Sequence, residues 1–224
     1  MTAAADSFTQ MPQEAKGSAV VLVHGLAAHR FVMLPLARRL SCNFGRVVNW
    51  GYRSIWSPIA VHSDRLAEFL SQLDETDAVD SINLVTHSMG GIVTRLALER
   101  YRPRKFGRLV MIAPPNNGSR VATFLKPWLG RVCPPINQLT DDRGGFVCSL
   151  PLPSEMEIGV IAASGDYMVQ EASTHLPCEA DHIVLPGLHS SVLFRQDTAE
   201  QVRCFLLGGR FQKCTSTVAS VVES

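Results

Sequence analysis

Six short, largely apolar runs recur along this chain, at residues 19–23, 46–50, 82–85, 109–112, 158–162 and 182–185. Most carry no internal polar alternation, which is the pattern of a strand covered on both faces. Between them lie stretches with helical spacing. Residues 31–40 place Leu34, Leu36, Ala37 and Leu40 on one side, and residues 59–73 do the same with Leu66, Phe69, Leu70 and Leu73. Residues 92–98 and 198–207 read as two more helices. Parallel strands need long crossovers, and helices supply them. The alternation therefore predicts an α/β domain: a mostly parallel sheet of about six strands, with helices on both faces and right-handed connections. In such a sheet ligands sit beyond the carboxyl ends of the strands. The rhythm breaks once, in an insert at residues 116–155 after the strand ending near Ile112. The insert is rich in Pro, Gly and Asn, and one helix is predicted there. Residues 1–18 read as a flexible N-terminal segment, 19–207 as the domain and 208–224 as a tail.

One junction carries chemistry. Thr86-His87-Ser88-Met89-Gly90-Gly91 joins the apolar run 82–85 to the helical run 92–98. A strand, a very tight turn and a helix with serine at the apex force that serine into a strained conformation and lift its hydroxyl into solvent. Crowding demands small residues two before and two after it. Gly90 meets the demand and Thr86 meets it in part. The plain alternative is a helix N-cap, a role serine fills well.

A serine needs a neutral imidazole to take its proton and a carboxylate to fix that imidazole's tautomer. The histidines after Ser88 are His175, His182 and His189. His182 opens an apolar run and His175 lies in the loop before it. His189 lies just past the carboxyl end of the last strand, where the chemistry requires it. Asp166 follows the 158–162 strand at the same end. Its rival Asp181 precedes a strand and belongs to the opposite edge, while Asp141 and Asp142 fall in the insert. The catalytic candidates are therefore Ser88, His189 and Asp166. An oxyanion hole needs backbone N–H groups. Met89, directly after the serine, offers one. Leu26, in the His24-Gly25-Leu26 loop after the first strand, offers the other. His24 and His87 read as supporting side chains.

Composition narrows the partners. The 224 residues are 46% hydrophobic, which suits one compact core. The 21 basic and 20 acidic residues leave a net charge of +1, with no basic block to attract nucleic acid. Residues 1–17 lack the apolar centre of a signal peptide, and no run reaches the roughly 20 apolar residues of a membrane span. The expected location is the cytoplasm. The six cysteines show no metal-ligand spacing, so free thiols and no metal or other cofactor are expected. A Cys133–Cys148 disulfide would fit only an exported protein.

With these motifs in place, the chain resembles the α/β-hydrolase superfamily, in its lipase and esterase branch. Val21-Leu22-Val23-His24-Gly25-Leu26 resembles the oxyanion loop, and Phe31 with Pro35-Leu36-Ala37-Arg38-Arg39-Leu40 its usual continuation. Thr86–Gly91 resembles the elbow. Ala113-Pro114-Pro115-Asn116-Asn117-Gly118-Ser119 resembles the turn after the next strand. Gly165-Asp166 and Leu188-His189-Ser190 resemble the acid and histidine loops. The likeness runs from about residue 19 to about 207, in a minimal, small-lid form. Tyr167 stands where glycine is common. The resemblance implies hydrolysis of carboxylic esters through a Ser-His-Asp triad. The alternatives are an acyltransferase or thioesterase using the same groups, or a non-catalytic binding protein that keeps the fold.

Two apolar groups bear on the substrate. Val121, Phe124, Leu125, Trp128 and Leu129 form a helical stripe in the insert, read first as a helix packed on the core and second as a short flap. Pro127 limits that helix's length. Leu188, Val192, Leu193 and Phe194 surround His189 and suggest an acyl pocket. Both favour a small-molecule ester substrate with a hydrophobic acyl group, be it a glyceride, a phospholipid or a simpler ester, and transient contact with a lipid surface is compatible with them.

Overall fold

The computed structural model describes residues 15–212, Ser154 excepted. The rest of the expected N-terminal segment and most of the tail lie outside the described residues. The chain runs β1 (Ala15–Val23), a 3₁₀ turn (Arg30–Met33), α1 (Leu34–Leu40), β2 (Phe44–Trp50), α2 (Ile59–Asp74), β3 (Ser81–His87), α3 (Met89–Arg100) and β4 (Phe106–Ile112). It continues through α4 (Arg120–Leu129), α5 (Pro134–Gln138), α6 (Phe146–Ser149), β5 (Glu157–Ala163), α7 (Glu171–Thr174), β6 (Asp181–Leu185), a second 3₁₀ turn (Ser191–Phe194) and α8 (Gln196–Gly208).

The strands form one sheet in the order β2-β1-β3-β4-β5-β6, and every neighbouring pair is parallel. Val20, Val21 and Leu22 of β1 are fully buried, as are Leu109, Val110 and Met111 of β4. Their apolar character on both faces is what a doubly covered sheet demands. On one face, α2 and α3 bury Leu66, Leu70, Ile92 and Val93 against Val21, Leu84 and Met111. On the other, α1 and α8 bury Leu36, Leu40, Val202 and Phe205 against Val20, Val85 and Ile161. Each such aliphatic side chain contributes about 1.5–3 kcal/mol on full burial. Gly159 lies under Phe205, where an added Cβ would stand 2.6 Å from the ring. That fixes how closely α8 approaches β5.

The chain enters at β1, fills β2 on one side and then jumps to β3 on the other. The strand order therefore reverses between β1 and β3, and the crevice beyond their carboxyl ends is the expected binding place.

The insert holds three short helices where one was expected. α5 opens on Pro134 and Pro135, and proline is well suited to a helix's first turn because the missing N–H would have no partner there. The excursion that carries α4 and α5 is pinched at its base. Ser119 N–H donates to Leu139 O at 2.8 Å, and Ser119 pairs with Thr140 in an isolated bridge. Further along, Arg95 of α3 is buried with no carboxylate beside it among the described residues. It donates to the carbonyls of Leu150 and Pro151, so the end of the insert is tied to the helix behind the serine.

Among the described residues no helix is long and apolar enough to cross a membrane. Cys42, Cys133, Cys148, Cys178 and Cys204 are all free thiols, so Cys133 and Cys148 are not joined.

Candidate active site

Ser88 sits between β3 and α3 with φ 53° and ψ −128°, a region that non-glycine residues rarely occupy. Holding it there costs roughly 1–3 kcal/mol. The surroundings fix it: Ser88 N–H donates to Ile112 O at 2.9 Å, and Gly91 N–H donates to Ser88 O at 2.9 Å. The close packing requires glycine at two places. A Cβ on Gly90 would stand 2.4 Å from Val23 O, and one on Gly25 would stand 2.9 Å from Ser88 Cβ. Thr86 is fully buried beneath the turn, and its hydroxyl has no partner among the described residues. The space it takes is left by Gly91, where a Cβ would meet Thr86 Oγ1 at 3.3 Å. Ser88 heads α3 but its side chain makes no capping bond. Its hydroxyl faces His189 instead.

His189 bridges the other two groups. Its Nε2 lies 2.9 Å from Ser88 Oγ, and its Nδ1 lies 2.6 Å from Asp166 Oδ2. A carboxylate only accepts hydrogen bonds, so a proton sits on Nδ1, and in the neutral ring the Nε2 lone pair faces the serine hydroxyl. The Asp166 side chain is 1% exposed. Its second oxygen accepts from the N–H groups of Met168 and Val169 at 2.8 and 2.9 Å. Those bonds lock the carboxylate's orientation. Tyr167 does not disturb this turn because its side chain is 85% exposed and stays in solvent.

The other candidates lie elsewhere. Asp181 accepts from His182 N–H and Phe211 N–H at the start of β6. Asp141 takes the hydroxyl of Thr123, and Asp142 pairs with Lys126. His24 stacks on Tyr52, accepts the Tyr52 N–H at Nε2, and bonds Gly25 O through Nδ1. Tyr52 in turn donates its hydroxyl to His24 O. The His24-Gly25-Leu26 loop is thereby held over the serine. Of the two expected oxyanion donors, Leu26 lies in the loop after β1 and lines the same cavity as Ser88, and Met89 directly follows Ser88 at the start of α3; β1 and β3 are the two strands at the reversal of strand order.

His87 supports the site from below. Its Nε2 donates to the backbone carbonyl of His189 at 2.9 Å. Burial, followed by the nearness of His189, pushes its pKa down to about 3. Burial is also the first cause of the lowered values of His24, His62 and His182. An unfolded histidine takes a proton near pH 6.5, whereas folded His87 stays neutral until about pH 3. Between those values the unfolded chain binds more protons, so stability is highest above pH 6.5 and falls as the pH drops. His87 alone is expected to cost up to about 1.4 kcal/mol per pH unit in that window. Urea unfolding at pH 7, 6 and 5 measures it. His87→Gln should flatten the dependence, and equal slopes in both proteins would contradict it.

A cavity of about 530 Å³ opens onto Ser88 and His189. Its walls are apolar and include Leu26, Ile55, Ile136 and Leu139. The α4 stripe divides. Val121, Leu125 and Leu129 line the cavity, while Phe124 and Trp128 point outward, each about two-thirds exposed. Ala122 joins the core and Leu125 packs against it, so α4 both rests on the core and roofs the cavity. Leu188, Val192, Leu193 and Phe194 do not line it. Val192 and Leu193 turn into the core beside α8, and Leu188 and Phe194 face solvent.

A parallel sheet covered on both faces, with a strained serine at its strand-order reversal, defines the α/β-hydrolase architecture. Residues 20–202 match the model of the alpha/beta hydrolase family, and the chain belongs to it. No curated protein sequence matches the chain. Among solved structures, the mature lipase BlEst2 of Bacillus licheniformis is similar with a TM-score of 0.68 at 17% identity, over 88% of this chain and 93% of that one. The metagenomic carboxyl esterase MGS0156 gives a TM-score of 0.66 at 18% identity, over 80% and 66%. A thermophilic esterase from Thermogutta terrifontis gives 0.61 at 16%, over 86% and 90%. At these identities the likeness concerns the fold.

Proposed function

We propose that this protein is a serine hydrolase that cleaves carboxylic esters with a hydrophobic acyl group. The observation that carries this reading is His189, hydrogen-bonded at once to Ser88 Oγ and to the buried Asp166. In the proposed reaction Ser88 Oγ attacks the ester carbonyl carbon while its proton passes to His189 Nε2. Asp166 keeps the Nδ1 proton in place and stabilises the imidazolium that forms. The carbonyl oxygen becomes an oxyanion, held by the N–H groups of Leu26 and Met89. Collapse of this intermediate breaks the bond to the alcohol, which leaves with the proton from His189. Water, deprotonated by the same histidine, then releases the acid from the acyl-serine.

The apolar cavity supports a hydrophobic acyl group, since its volume falls in the range of small-molecule sites and it opens on the nucleophile. The first experiment is hydrolysis of p-nitrophenyl esters of increasing acyl length. Turnover should rise beyond the acetate and then fall once the chain outgrows the cavity. Leu125→Trp, which fills space under the α4 roof, is expected to cut kcat/KM roughly tenfold for the longest good substrate and leave the acetate within about twofold. An unchanged profile would remove α4 from acyl recognition. Inert esters throughout would remove the esterase reading itself.

A further inference from the structure

The loop that begins with the acid turn and ends in β6 carries three donor side chains that ester hydrolysis leaves unused. His175, Glu179 and His182 each offer one ligand atom, and these atoms all lie within 4.8 Å of one another. Bonds of roughly 2.0–2.1 Å to a tetrahedral zinc leave ligand atoms somewhat over 3 Å apart, so the cluster is a slightly open version of that arrangement.

The surrounding hydrogen bonds prepare two of the three groups. Thr174 Oγ1 gives its one proton to Glu171 O at 2.7 Å. At its 3.0 Å contact with His182 Nε2 it must therefore accept. The proton of His182 is thus on Nε2, and Nδ1 carries the free lone pair. A metal-bound histidine needs such an outer acceptor for its second nitrogen. Glu179 is oriented too, since its Oε2 accepts from Leu176 N–H at 3.0 Å.

His175 is the adjustable member. Its ring stacks on His182 at 3.9 Å with 17° between planes, and its Nδ1 donates to Glu179 Oε1 at 2.7 Å. An imidazole lone pair lies in the ring plane, so a shared metal requires one ring to turn. The His175 side chain is 49% exposed and can do so, whereas Thr174 holds His182. Turning His175 also frees the Glu179 oxygen it now occupies, giving two nitrogens and one oxygen.

We propose that His175, Glu179 and His182 form a binding site for a divalent transition metal of the zinc type. Two imidazoles and one carboxylate suit zinc, with water in the fourth position, and do not suit the all-oxygen preference of magnesium or calcium. The role is structural. The same loop accepts hydrogen bonds from Asn116 and Asn117 through the carbonyls of Ser173, Thr174 and His175. A bound metal therefore fastens β6 to the loop that begins at Asp166, without touching the reacting atoms.

The test is calorimetric titration of the metal-stripped full chain with zinc chloride, with magnesium chloride as the control. One zinc per chain with micromolar affinity is expected, and zinc but not magnesium should raise the melting temperature. His175→Gln and His182→Gln should each weaken zinc binding tenfold or more. His175 lies at the surface, so its variant should melt like the wild type without metal. Crystals soaked in zinc should give an anomalous peak among the three side chains. No saturable zinc binding by the wild type would overturn the proposal. So would full-strength binding by both variants, which would assign the metal to thiols such as the exposed Cys42 and Cys148.

Discussion

Ser88→Ala is expected to lower kcat/KM toward p-nitrophenyl esters by roughly 10⁴-fold or more while leaving the fold intact. The hydroxyl makes no capping bond to α3, so its loss removes little that holds the helix. Its hydrogen bond is to His189 Nε2, the atom proposed to take its proton. The change therefore falls on the reaction and spares stability. A double variant, Ser88→Ala with His189→Ala, should be no slower than the worse single variant, because the two groups act as one unit. Fluorophosphonate labelling should vanish in Ser88→Ala with an unchanged circular dichroism spectrum. Normal turnover by Ser88→Ala would sink the mechanism.

The second large effect separates two aspartates. Asp166→Asn should slow turnover by about 10⁴-fold. The N–H groups of Met168 and Val169 keep the remaining side-chain oxygen of the variant in place, so its amide turns toward His189. His189 Nδ1 must then accept a hydrogen bond. The proton moves to Nε2, and the nitrogen facing Ser88 can no longer act as a base. Asp181→Asn should change turnover by no more than about threefold and act on stability, because Asp181 serves the N–H groups of His182 and Phe211 at the other end of β6. Steady-state rates and urea midpoints for both variants make the comparison. The reverse pattern would transfer the acid's role to Asp181.

Strand positions were legible because parallel strands covered on both faces become runs of apolar residues. Their starts were less so. β1 begins at Ala15 and β4 at Phe106, several residues before the apolar runs, and in β4 the pairing continues where full burial has ended. The α5 helix was not among the expected elements, because it lies in an insert rich in Pro, Gly and Asn, although the first turn of a helix accepts Pro134 and Pro135. Ser88, His189 and Asp166 were brought together in the sequence by one rule, that functional groups gather at the carboxyl ends of strands, and the structure brings the same three within hydrogen-bonding distance. The neighbours of His189 were misjudged because adjacency in sequence does not say which way a 3₁₀ turn aims its side chains. The α4 stripe shows a related limit. Helical spacing predicts a common face but not whether core or cavity lies beneath it. His175, Glu179 and His182 lie outside the cysteine spacings that mark most structural zinc sites. Their H-x-x-x-E-x-x-H spacing was the signal available.

The pinch at Ser119 and Thr140 has a consequence for descent. The segment at residues 120–139 leaves and rejoins the domain at one point, so its length can vary while Ala122, Ile136 and Leu139 keep their places in the core. It also supplies the roof residues Val121, Leu125 and Leu129 of the cavity. A lineage carrying this arrangement can vary the roof, by recombination or by insertion, without moving Ser88, provided the core contacts of Ala122, Ile136 and Leu139 are kept. Diversity among such chains should concentrate between those two residues, and laboratory grafting of foreign roofs should begin and end there.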